Sequence, residues 1–125
     1  MQKVEYPLPP TLNKIINNAR RSKYISSSEK RKWTEDIAIL SSELTPCQDM
    51  VWLKFEWKVF NQKRDPDNIA AAAKFILDGL VAAEIIPDDS LKYIGSPILH
   101  YYGKAQRGDD SCTLSISPSP PKVDF

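Results

Sequence analysis

The chain has 125 residues, 42% of them hydrophobic and 26% charged, with 17 Lys and Arg against 16 Asp and Glu for a formal net charge of +1. That is one domain's length and the make-up of an ordinary soluble globular protein. At face value it excludes a strongly cationic nucleic-acid binder, and the lack of an apolar run of ~18 residues excludes a membrane-spanning helix.

Residues 2–6 read as a short strand before Pro7-Leu8-Pro9-Pro10. A helix is predicted from Leu12 to Arg21. Ser26 and Glu29 then have the spacing of a capping box, opening a helix whose apolar stripe is Trp33, Ile37, Leu40 and Leu44 and which Pro46 closes. Val51 to Phe60 is the clearest strand: Val51, Leu53, Phe55, Trp57 and Val59 alternate with Trp52, Lys54, Glu56, Lys58 and Phe60. Asp67 or Asn68 is predicted to cap a long helix that ends near Glu84, since Pro66 disfavours helix before it. Strands are expected over Leu91–Ile94, Ile98–Tyr102 and Ser111–Ser117, with Gly103 to Asp110 as a hairpin loop between the last two.

This order describes a single mixed α/β domain, with a mixed sheet of four to five strands and two to three helices. The domain is expected to span residues 1–117, followed by a Pro-rich C-terminal tail over 118–125. Cys47 and Cys112 form no C-x-x-C, and the N-terminus carries no signal-like apolar segment. Reduced thiols and a cytoplasmic location are therefore expected. The lone histidine, His100, excludes multi-His zinc sites and is expected to be a strand residue with a structural hydrogen bond.

The chemistry concentrates between Lys63 and Asp89. Arg64-Asp65-Pro66-Asp67-Asn68 joins the best strand to the best helix. Hard cations such as Mg²⁺ take oxygen ligands, often one or two carboxylates completed by phosphate and water. A bent D-x-D-N segment suits that role. The plain alternative is that Asp67 caps the helix and Asp65 pairs with Arg64. On an unbroken helix Lys74 and Asp78 lie within roughly 20° of Asp67 around the axis. They could serve a phosphate there, or form a simple i,i+4 surface pair. Asp88-Asp89 is a further acidic point, or a turn in Pro-Asp-Asp-Ser.

These residues, in order, resemble the RusA-type Holliday junction resolvases, especially phage and prophage members. The resemblance rests on Leu8-Pro9-Pro10-Thr11-Leu12-Asn13, Arg20, Arg21 and Tyr24, Lys63-Arg64-Asp65-Pro66-Asp67-Asn68, Lys74 to Leu80 with Asp78 and Gly79, and Ile86-Pro87-Asp88-Asp89. It implies a RusA-like homodimeric endodeoxyribonuclease that cuts four-way junctions in DNA recombination and repair, with Mg²⁺ or Mn²⁺ as cofactor. By resemblance, Asp65, Asp67 and Asp89 are the metal ligands and, with Lys74, the catalytic set. Asn13, Asn68, Asp78 and Asp88 support them. One departure concerns the lysine. Some members carry it four residues after the second aspartate, where this chain has Ala71, and here it comes seven after.

A helix from Asn68 to Glu84 is roughly 25 Å long. Asp67 and Asp89 would then stand at its two ends, too far apart to share an ion. The site uses Asp65 and Asp67 alone, or the helix is broken, or Asp89 serves the site of a partner copy.

From Asn13 to Lys32 the chain carries Lys14, Arg20, Arg21, Lys23, Lys30, Arg31 and Lys32 against Glu29 alone, a net +6. With Lys63 and Arg64 these are the candidate DNA-backbone contacts. A solvated helix face is the plain alternative. Asn13 either caps its helix or braces a loop near the site. Trp33 is expected in the core. Two other functions remain open at this point: a catalytically silent protein that binds branched DNA or assists assembly, and a Mg²⁺ phosphohydrolase of small substrates. The lack of a glycine-rich phosphate loop disfavours the second.

Overall fold

The computed structural model describes residues 1–123; positions 124 and 125 of the tail lie outside it. Four strands, β1 (Gln2–Pro7), β2 (Trp52–Val59), β3 (Leu99–Lys104) and β4 (Ser111–Ser117), form one sheet in the order β1-β4-β2-β3. The helices are α1 (Leu12–Arg21), α2 (Lys23–Leu40), α3 (Pro66–Ala70) and α4 (Ala73–Ala82). This is the expected small mixed α/β fold. Among the described residues no helix is long and apolar enough to cross a membrane.

The alternation in β2 does what its period implies. Leu53, Phe55, Trp57 and Val59 are buried, while Trp52, Lys54 and Glu56 are half-buried and Lys58 is exposed. Register continues the layer sideways: Tyr6 lies opposite Cys112, Cys112 opposite Trp57, and Trp57 beside Tyr102. Ile37 of α2, Ile69 of α3, and Ile76 and Leu80 of α4 close the core over this face. The two long helices cross at Gly79, where a Cβ would run into the side chain of Ile37. Tyr6 ties β1 to the end of α2. Its hydroxyl bonds Ser41 Oγ at 2.7 Å, and Ser41 donates to Ile37 O. Burial pushes the Tyr6 hydroxyl up to about 12 and the Cys112 thiol likewise to about 12.

Four expectations need correction. First, α2 begins at Lys23, with Ser22 as its cap: Ser22 Oγ accepts from the Tyr24 and Ile25 N–H groups. Glu29 does not close a capping box with Ser26, because it is engaged by Asn18 of α1 and by Lys14. Leu40 ends α2 largely exposed.

Second, the long helix is broken. The Ala72, Lys74 and Phe75 N–H groups bond three residues back, to Ile69, Ala71 and Ala72, which is the tighter 3₁₀ pattern. Its start is also earlier, with Asp65 at the N-cap and Pro66 at the first helical position, where a missing N–H is harmless. α4 ends in a Schellman arrangement. Glu84 takes φ 60°, and the Ile85 N–H reaches Leu80 O at 2.9 Å.

Third, Leu91–Ile94 is no strand; it is a turn whose Ile94 makes an isolated parallel bridge to Val51.

Fourth, β3 and β4 do not form a hairpin, because β2 lies between them. The helical crossover returns the chain parallel to β2, as parallel neighbours require. The 105–110 segment then passes over the C-terminal end of β2. Ala105 N–H bonds Val59 O, and Phe60 N–H bonds Asp110 Oδ1. β4, whose Cys112, Leu114 and Ile116 are all buried, takes an inner position. β3, with Tyr101 and Tyr102 exposed, takes an edge.

Candidate metal and nucleic-acid site

The C-terminal end of β2 delivers the chain to Asp65 and Asp67. Both side chains are exposed. Asp65 makes no capping bond and no ion pair with Arg64, which lies instead 3.7 Å from Asp110. Asp67 Oδ1 accepts the Asn68 N–H at 3.0 Å. The remaining acceptor capacity of the two carboxylates fits a hard divalent cation completed by phosphate and water.

Three contacts brace the bend. Asn68 Oδ1 accepts the Asn13 N–H at 2.9 Å, so Asn13 joins the start of α1 to α3. The Tyr102 hydroxyl donates to Pro66 O at 3.2 Å. Arg64 holds Asp110, which in turn receives the Phe60 N–H at 2.8 Å. Burial raises the Tyr102 hydroxyl above its ordinary value, and the nearby Asp67 charge adds to it. Tyr102, Asp110 and Phe60 were not singled out from sequence. They come from distant segments, and only the crossover and the 105–110 passage bring them here.

Asp88 and Asp89 lie elsewhere. Their turn precedes Tyr93 and Ile94, and Tyr93 O accepts the N–H of Val51, at the other end of β2. Eight strand residues separate the two ends by about 25 Å. Among the described residues, no three Asp, Glu, His or Cys side chains are grouped to hold a metal. The helix break therefore does not bring Asp89 to Asp65 and Asp67 within one chain.

Lys74 pairs with Asp78 at 3.7 Å, the plain i,i+4 arrangement. The 3₁₀ step ahead of it alters the angular spacing expected from Asp67. Lys74 lines a cleft with Pro10, Asn18, Glu29 and Lys30, between α1, α2 and α4.

The basic segment is the α1–α2 pair. Lys14 is tied to Glu29 at 3.7 Å. Arg20, Arg21, Lys23, Lys30, Arg31 and Lys32 are exposed and make no ion pair among the described residues, as is also true of Lys63. Trp33 is half-buried against the core. His100 Nδ1 accepts the Trp57 indole N–H at 2.9 Å, within a stack of Trp57, Phe55 and His100 rings. Burial lowers its pKa. That is a structural role, as expected.

No protein-family model matches the chain, and no curated protein matches it in sequence.

Proposed function

We propose that this chain is a Mg²⁺-dependent endodeoxyribonuclease of the RusA kind, resolving four-way DNA junctions as a homodimer. The observation that carries the reading is the braced pair Asp65 and Asp67, exposed where β2 turns into α3 and tied through Asn68 and Asn13 to the unpaired cations of α1 and α2.

Asp65 and Asp67 would hold the metal. When bound, Mg²⁺ polarises the scissile phosphate and lowers the pKa of a water beside it. The chain's own groups do the rest. Asn68 and Tyr102 hold the bend in place. Lys63 and Arg64 add positive charge beside the carboxylates. Lys74, beside Lys30, contacts backbone phosphate, and the α1–α2 cations hold the junction arms by shape more than by sequence.

A second copy supplies Asp89. With the two acidic points near opposite ends of β2 in one chain, an antiparallel twofold pairing of the α3–α4 segments builds two sites, each with Asp65 and Asp67 from one copy and Asp89 from the other. Two sites match a substrate with two equivalent strands to cut.

The test is a labelled synthetic four-way junction beside a linear duplex, with Mg²⁺, using wild type and Asp67→Asn. Paired nicks in the junction alone, lost in the variant, support the reading. Junction binding without nicks favours a silent binding protein, and cleavage of both DNAs alike removes the structure specificity.

A further inference from the structure

Beside Asp65 and Asp67 lies a cleft of about 460 Å³, between the Pro7–Thr11 segment and the loops that flank β2 and β4. Lys14, Trp33, Phe60, Asn61, Arg64 and Asp110 line it. Three observations give it a ligand chemistry.

Phe60, five positions before Asp65, is 39% exposed and has no polar atom that would account for that exposure. Lys104 and Arg107 stand over its ring, their charges 5.6 and 5.1 Å from the centroid. Neither makes an ion pair among the described residues. Arg64 Nη1 is buried and has no hydrogen-bond partner, its approach to Asp110 being too long for a bond.

Charge on the rest of the cleft is largely balanced. Lys14 answers Glu29, and Arg64 answers Asp110. Lys104 and Arg107 do not line the cleft but stand at its margin over Phe60, and they remain in surplus, with exposed Asp109 on the same loop offsetting one of them.

An apolar ring with two free cations over it, next to a guanidinium nitrogen that has no hydrogen bond, matches the two halves of a nucleotide, the base taking the ring as the cations turn to phosphate. A base has a π-face for the ring, and its flanking phosphates have oxygens for the cations. A paired base cannot offer its face without leaving the stack.

We infer that this cleft receives an unpaired nucleotide of the DNA strand, its base laid on Phe60 and its phosphates held by Lys104, Arg107 and Arg64. This rests on the nuclease reading for the identity of the substrate, and it adds a subsite that a strand opened at a branch point would fill.

The probe is a short single-stranded DNA carrying one 2-aminopurine, titrated in EDTA so that no cleavage occurs. Wild type is expected to bind and quench the fluorophore. Phe60→Ala is expected to bind about tenfold more weakly, within the range for one stacked base, and to lose the quench. Phe60→Trp should keep both. Arg107→Ala should keep the quench at saturation and reduce the salt dependence of binding by about one counterion.

A Phe60→Ala protein that melts like wild type and still binds and quenches fully overturns the inference. So does equal competition by the fully paired duplex, or no binding of the oligonucleotide. Should Phe60→Ala not fold, loss of binding in Lys104→Ala and Arg107→Ala supports the site, and unchanged binding in both overturns it. Junction nicking, run in parallel, is a separate readout. Nicking without dependence on Phe60 overturns this inference alone, and Phe60-dependent quenching without nicking overturns the nuclease reading alone.

Discussion

The two ends of β2 carry the chain's two acidic points, and they are built differently. At the C-terminal end, Asp65 and Asp67 sit on a bend hydrogen-bonded to α1 through Asn13 and Asn68 and to β3 through Tyr102, while the 105–110 segment meets it through the Phe60–Asp110 bond and the looser Arg64–Asp110 ion pair. At the N-terminal end, Asp88 and Asp89 are exposed on a turn, and neither side chain makes a hydrogen bond or ion pair among the described residues. The four carboxylates themselves are alike, all exposed, and Asp65 is as free of side-chain bonds as Asp88 and Asp89; what differs is the backbone that carries them. The motive for proposing Asp89 in a partner's site is its separation from Asp65 and Asp67 along β2.

The largest expected effect tests that contrast directly. Asp67→Asn and Asp89→Asn should each lower junction nicking by at least the roughly 10–100-fold that losing a ligand's supporting partner costs. Mixing the two variants should restore part of the nicking, as single rather than paired nicks, because a heterodimer then contains one site with all its aspartates. If the mixture stays inactive, the two ends do not meet across a dimer.

Next is the helix that joins the ends. Gly79→Ala forces a methyl into Ile37 at the α2–α4 crossing, and should cost about 1–3 kcal/mol of stability in a denaturant melt. A neutral outcome would mean that the crossing is looser than it stands.

The asymmetry of the ends has its own readout. Asn68→Ala removes the acceptor of the Asn13 N–H and should cost about 1 kcal/mol, whereas Asp88→Ala should stay within about 0.5 kcal/mol of wild type. Equal costs at both positions would erase the distinction between a braced and a free end.

The smallest effect concerns β3, which braces Pro66 through Tyr102. Burial holds the His100 pKa below its ordinary 6.5. As pH falls below 6.5 the unfolded chain takes up a proton that the folded chain refuses. Stability is therefore full above 6.5, declines as pH falls through the lowered folded pKa, and levels off beneath it. His100→Gln should flatten this part of the profile of melting temperature against pH. An unchanged profile would assign the decline to other groups.

Much of this was legible in the residues. The period-two run of β2 places its inner face correctly, and α1 runs over the residues read from sequence, Leu12 to Arg21. Both follow from local pattern, since one buried face selects one periodicity. His100 also behaves as read. The errors share a cause. The Ser26–Glu29 spacing fits a cap, but Glu29 had a better donor in Asn18, eleven positions back. The run from Asn68 to Glu84 has helical periodicity throughout, and periodicity does not register a single 3₁₀ step at Ala71 and Ala72. Leu91–Ile94 has strand-like composition but only one bridging partner.

Local pattern was enough for β1, β2, β4 and α1, for the inner face of β2, for the clustering of cations between Lys14 and Lys32, and for the acidic pair beside Pro66. Each is a matter of spacing along the chain. Only the folded chain shows that β2 separates β3 from β4, that Tyr102 and Asp110 stand at the acidic bend, and that Asn13 takes the bracing role over capping. Those depend on which strand takes the most buried place in the sheet. That choice is made by the summed burial of all four strands, and no single segment encodes it.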